Sequence, residues 1–181
     1  MADANRSDKR SVQKGFSLVE LIVAVAILSV LLGLMANNID ALNGYRARKC
    51  KNLLANSISE LKVKTLSKAV NNGDIYMVVY KDGKKIYRKT YVNGTPEDAV
   101  EIGARIGIRY GGNSITTTEI GDEATGALTI CFNRSTGAML SSPSPTAGLS
   151  QVEYIECYSS ANKVYQIQLI PATGKVINRT R

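Results

Sequence analysis

Three patterns of apolar and polar positions succeed one another along the chain. From Phe16 to Ala36 only Ser17, Glu20 and Ser29 interrupt an otherwise apolar run. As a helix rising about 1.5 Å per residue, the run is about 32 Å long, enough to cross the hydrocarbon core of a bilayer. Beyond it Cys50, Leu54, Ile58 and Leu61 recur at helical spacing, with Leu53 close by on the same side. That is the stripe of a half-buried helix. Lys64 and Lys68 fall on the same side and fade the stripe, and Asn71-Asn72-Gly73 is the predicted helix stop.

After Gly73 the period falls to two. Ile75–Lys81 and Lys85–Val92 are rich in Ile, Val and Tyr, and Asp82-Gly83 between them signals a hairpin. Asn93-Gly94-Thr95-Pro96 predicts the next turn. Val100, Ile102, Ala104, Ile106, Ile108 and Tyr110 alternate strictly and predict one strand with a buried face. Thr116–Thr118 reads equally as an edge strand or a loop. Strands are further expected at Ala127–Asn133, Gln151–Tyr158, Lys163–Ile170 and Lys175–Asn178, with a hydroxyl-rich loop around Pro143 and Pro145. The expected fold class is α+β, a long N-terminal helix packed against an antiparallel β-sheet. Residues 37–72 would be the amphipathic continuation of the helix and 73–181 the β domain.

Glu20 is the anomaly in the apolar run. An ionisable group inside a spanning segment costs roughly 2.5–3.5 kcal/mol on insertion scales and calls for a partner. A buried core helix, a cleaved secretory signal and a plain single-pass anchor each leave something unexplained. The run is too apolar for the first and too long for the second, and the third gives Glu20 no role.

The stretch Gly15-Phe16-Ser17-Leu18-Val19-Glu20-Leu21-Ile22-Val23, preceded by a short basic leader, resembles the signal of type IV prepilins and type II secretion pseudopilins. The resemblance implies a pilin-like fold and a leader, residues 1–15, cut by a prepilin peptidase after Gly15. Phe16 would then be the N-methylated first residue. Residues 16–36 would anchor the chain in the membrane and later form the core of a filament. Glu20 would meet the N-terminal ammonium of a neighbouring subunit, two charges that are costly alone in lipid and less so together. The implied partners are the peptidase, other pilin or pseudopilin subunits, the inner-membrane assembly machinery and membrane lipid. The implied location is a single-pass cell-membrane protein with its C-terminal domain outside the cytoplasm, and after assembly a periplasmic or extracellular filament. A looser likeness in Phe132-Asn133-Arg134-Ser135-Thr136-Gly137 and the strands after it is to minor pseudopilins of the GspH/FimT type.

Charge adds a conflict. The formal net charge is +8, of which the leader holds Arg6, Lys9, Arg10 and Lys14 against Asp3 and Asp8. Downstream of the span Arg46, Arg48, Lys49 and Lys51 cluster, and the positive-inside bias alone would keep them in the cytoplasm. The prepilin resemblance puts them on the other side.

Little in the sequence supports catalysis. The chain has no histidine, which removes histidine triads and histidine metal ligands. Its three cysteines, Cys50, Cys131 and Cys157, form no CxxC pair, so no zinc site, metal or cofactor is expected. An odd number of cysteines leaves one thiol over. Three partly buried thiols and a Cys131–Cys157 disulfide are the two arrangements open. The acidic pairs Glu97-Asp98 and Asp122-Glu123 lie in turn-like surroundings and read as solvated. Lys175, Arg179 and Arg181 form a basic C-terminus, either a solvated tail or a set of phosphate contacts to DNA, as in a minor pilin for DNA uptake.

Overall fold

The computed structural model describes residues 16–68, 71–113, 115–140, 152–159 and 164–179. Helix α1 spans Leu18–Ser67. Then come strands β1 (Ile75–Asp82), β2 (Lys85–Val92), β3 (Thr95–Pro96), β4 (Val100–Ala104), β5 (Gly107–Gly112), β6 (Ile115–Glu119), β7 (Leu128–Cys131), β8 (Tyr154–Tyr158), β9 (Val164–Ile170) and β10 (Lys175–Arg179). The chain divides into two compact units, the first ending at Ile39 and the second beginning at Asp40. The architecture is α+β, as the pattern predicts, and pilin-like, as the resemblance implies.

The strands make two antiparallel sheets rather than one. In the first, β1 lies between β2 and β7, and the far edge of β2 is shared by β3 and β4. The second runs β10-β9-β8-β5-β6. Local chemistry sets the hairpins. Asp82 pairs with Lys85 across a two-residue turn whose first residue, Gly83, has φ 57°. Asn93 and Gly94, at φ 51° and 77°, join β2 to β3, the two left-handed positions that an Asn-Gly turn supplies most easily.

The unbroken alternation from Val100 to Tyr110 does not form one strand. Arg105 takes a left-handed φ of 58° and its amide donates to Lys84 O at 2.7 Å. The chain turns a corner there, so β4 belongs to the first sheet and β5 to the second. Periodicity of side chains cannot register a change of sheet, because burial resumes on the far side of the corner at Ile106 and Ile108.

One core joins both sheets to the outer part of α1. Ala47, Cys50, Leu54, Ala55, Ile58 and Leu61 of the helix meet Ile75, Met77, Val79 and Ile130 of the first sheet and Ile108, Ile155, Cys157 and Ile167 of the second. Leu53 is not part of this stripe; it is 38% exposed, and Ala47 and Ala55 stand in its place. The helix ends at Ser67, ahead of the expected stop, and Lys64 in its last turn pairs with Glu97. On the opposite face of β1 and β2, Tyr76 stacks on Tyr91 at 4.7 Å and Tyr80 on Tyr87 at 5.8 Å, with Val78 and Ala127 buried among them.

Several expected boundaries move. Thr116–Thr118 lies in β6, an edge strand on β5. The residues before Leu128 and after Cys131 fall outside β7, and Ala138–Leu140 contributes only a single bridge, Met139 to Phe132. β8 begins at Tyr154 rather than Gln151. The Pro143–Pro145 loop and the leader lie outside the described residues.

Candidate functional site

The N-terminal unit carries the residues singled out for processing and assembly. Gly15 lies outside the described residues, and Phe16 is 88% exposed. Ser17 and Glu20 form a reciprocal cap on α1. The Ser17 amide donates to Glu20 Oε2 at 3.1 Å, and the Val19 amide points at Ser17 Oγ at 3.4 Å. Ser-x-x-Glu ahead of an apolar run is the sequence signature of a capping box, so the spacing of Ser17 and Glu20 alone carries the signal. A carboxylate in the first turn also faces the positive end of the helix dipole.

Ser29, the remaining polar side chain of the run, donates its hydroxyl to Val25 O at 2.8 Å. All three polar side chains from Phe16 to Met35 therefore have partners inside the helix itself, which lowers the penalty of taking them into lipid. No residue of Leu18–Met35 is buried, and the mean hydropathy there is 2.7. An exposed apolar surface of that length needs a cover of lipid or other helices.

The basic cluster is divided by the fold. Lys51 is 5% exposed, whereas Arg48 and Lys49 face solvent. Arg46 and Lys49 line a groove with Leu53 and residues Glu101–Ala104. Lys175 and Arg179 open and close β10, about 13 Å apart along the strand, and Arg181 lies outside the described residues.

Glu97 and both members of the Asp122-Glu123 pair have structural work. Glu97 binds Lys64, Asp122 accepts from the Thr125 amide and hydroxyl at 2.6 and 2.7 Å, and Glu123 accepts from Lys89 and from Tyr91. Among the described residues no group of three or more acidic or cysteine side chains could hold a metal. All three cysteines are free and buried. The expected Cys131–Cys157 bond is absent, because the two sulfurs have different neighbours. Cys131 Sγ points at Leu140 O at 3.8 Å, and burial pushes its thiol up to about 11. Cys157 instead faces Cys50, with the sulfurs 4.0 Å apart.

The family model for the prokaryotic N-terminal methylation motif matches residues 10–36. The chain carries a prepilin-type N-terminus. The match spans the basic leader residues from Arg10, the Gly15–Phe16 step, Glu20 and the apolar run, which are the residues of the type IV prepilin and pseudopilin signal. The prepilin-type segment thus coincides with the exposed, self-capped part of α1, and it anchors the chain to a membrane near its N-terminus. It does not reach the strands where the looser GspH/FimT likeness lies. No curated protein and no solved structure matches the chain significantly.

Proposed function

We propose that this prepilin-type chain is a non-catalytic structural subunit, cut by a prepilin peptidase between Gly15 and Phe16, N-methylated at Phe16 and assembled into a pilus-like or pseudopilus filament. The observation that carries this reading is the position of Glu20, whose carboxylate caps α1 next to the segment where cleavage would create a new ammonium. Before assembly the exposed run Leu18–Met35 sits in lipid, with the strand-bearing unit on the outer side of the membrane. After assembly the same run packs against its counterparts in neighbouring subunits. Glu20 then exchanges its own Ser17 amide for the Phe16 ammonium of a neighbour, a charge-assisted partner in a low-dielectric core.

The test compares Gly15→Val, Glu20→Gln and the parent chain. Gly15→Val should keep the mass of the leader. Glu20→Gln keeps an acceptor for the cap and loses the charge, so it should be cleaved yet be depleted at least tenfold from the filament fraction. Intact leader in the parent protein recovered from filaments refutes the processing claim. Full incorporation of Glu20→Gln refutes the pairing of Glu20 with a neighbour's ammonium, whereas absence of the parent chain from the filament fraction favours an ordinary single-pass anchor.

A further inference from the structure

We propose that Cys50 and Cys157 are a disulfide site that fastens α1 to the second sheet, oxidised by a small-molecule or protein disulfide donor while the domain folds. The two sulfurs stand 4.0 Å apart and both residues are fully buried. They come from α1 and β8, 107 positions apart in the chain, so only the folded domain brings them together. Bonding requires the sulfurs to close from 4.0 Å to about 2.05 Å.

The surroundings favour this pair over any other. A Cβ at residue 103 would lie 3.1 Å from Cys50 Sγ and 3.2 Å from its Cβ, so Gly103 leaves just enough room for the sulfur between β4 and β8. Cys131 belongs to β7 of the first sheet and points at the Leu140 carbonyl. The odd thiol of the chain is therefore Cys131.

The chemistry balances as two thiol–disulfide exchanges. One cysteine thiolate attacks a sulfur of the donor, giving a mixed disulfide and releasing one donor thiolate. The second cysteine sulfur then attacks the chain sulfur of that mixed disulfide, forming the Cys50–Cys157 bond and expelling the other donor half. Two electrons pass to the donor, and the two cysteine protons end on the released thiols. In the closed domain neither sulfur meets solvent. There the contact with Cys50, with burial, raises the Cys157 thiol well above its ordinary range, against the opposing charge of Lys51. The first exchange therefore belongs to the stage before α1 docks fully on the sheets. None of this depends on filament assembly.

The test is cell-free synthesis of the full chain into detergent micelles in a glutathione redox buffer, followed by denaturation with an alkylating agent and peptide mapping. The expected result is a Cys50–Cys157 cross-linked peptide pair with Cys131 alkylated. Reduction should lower the midpoint of thermal unfolding by roughly 5–15 °C. Cys50→Ala should abolish both the cross-link and that shift, and Cys131→Ala should retain both. Three alkylated thiols, or any cross-link through Cys131, overturns the proposal.

Discussion

The Ser17 amide donates to Glu20 Oε2 at 3.1 Å, so the one carboxylate in the apolar run is held by its own helix. Glu20 has a place in the single chain as well as the role proposed for it in a filament. The same geometry separates the two. The cap needs an acceptor at residue 20, whereas pairing with a neighbour's ammonium needs a negative charge.

Ser17→Ala removes the hydroxyl half of the cap and leaves the charge. Losing an N-cap hydroxyl costs about 0.5–2 kcal/mol of local helix stability. Amide hydrogen exchange at residues 18–20 should quicken in micelles, while leader removal and filament incorporation stay near parental levels. If Ser17→Ala is excluded from filaments as strongly as Glu20→Gln, the cap rather than the charge governs assembly.

Arg109 and Glu156 supply a second paired charge, this time inside the second sheet. Arg109 Nε donates to Glu156 Oε2 at 2.7 Å across neighbouring strands, and its guanidinium lies 5.4 Å from the Tyr158 ring centroid. The Glu156 side chain is 10% exposed and that of Arg109 43%. Arg109→Leu leaves a largely buried carboxylate without its cation. The cost should be about 1–2 kcal/mol, below that of a fully buried pair because Arg109 is partly in water. Denaturant titration of the full chain in detergent measures it, and Glu156→Gln in the same background should recover part of the loss.

The sequence was most legible where local chemistry decides. The apolar run, the stripe Cys50–Leu54–Ile58–Leu61 and the Asp82-Gly83 and Asn93-Gly94 turns appear where their residue types place them. The corner at Arg105 was not legible, because an arginine carries no signal for a left-handed backbone and the apolar alternation continues through it. Contacts made only by packing were hidden for the same kind of reason. Cys157 of β8 faces Cys50 of α1, while Cys131 of β7 points at Leu140 O, a choice of neighbours that no spacing reveals. Lys51 looked like surface charge, yet its place on the helix turns it inward.

The segment between β6 and β7 should loosen in acid. Hydrogen bonds from Thr125 hold the Asp122 carboxyl below its ordinary 3.8, and Lys89 holds Glu123 below 4.5. Both folded values lie below the unfolded ones. Their stabilisation is therefore complete above about pH 4.5 and is lost as the pH falls through the depressed values. The thermal midpoint should drop between pH 5 and pH 3, and Glu123→Gln should drop less. At the alkaline end Glu123 raises Lys89 above 10.5, so that contribution is complete below 10.5 and fades only at higher pH. An equal acid drop in the parent and Glu123→Gln would assign the effect to other carboxylates.

Arg105 is the sharpest test of the two-sheet corner. Its φ of 58° lies where a side chain with a Cβ is strained by about 1–2 kcal/mol, and its amide is committed to Lys84 O. Glycine removes that strain but adds backbone freedom to the unfolded chain, which returns about 0.5–1 kcal/mol of the gain. Arg105→Gly should therefore be neutral or more stable by up to about 1 kcal/mol. Arg105→Val puts a β-branched residue in the left-handed region and should destabilise by at least about 1 kcal/mol. Arg105→Lys keeps the charge and the backbone demand and should match the parent within about 0.5 kcal/mol. If Val were tolerated as well as Lys, residues 100–110 would form the single strand that their alternation suggests, and the two sheets would not part at this residue.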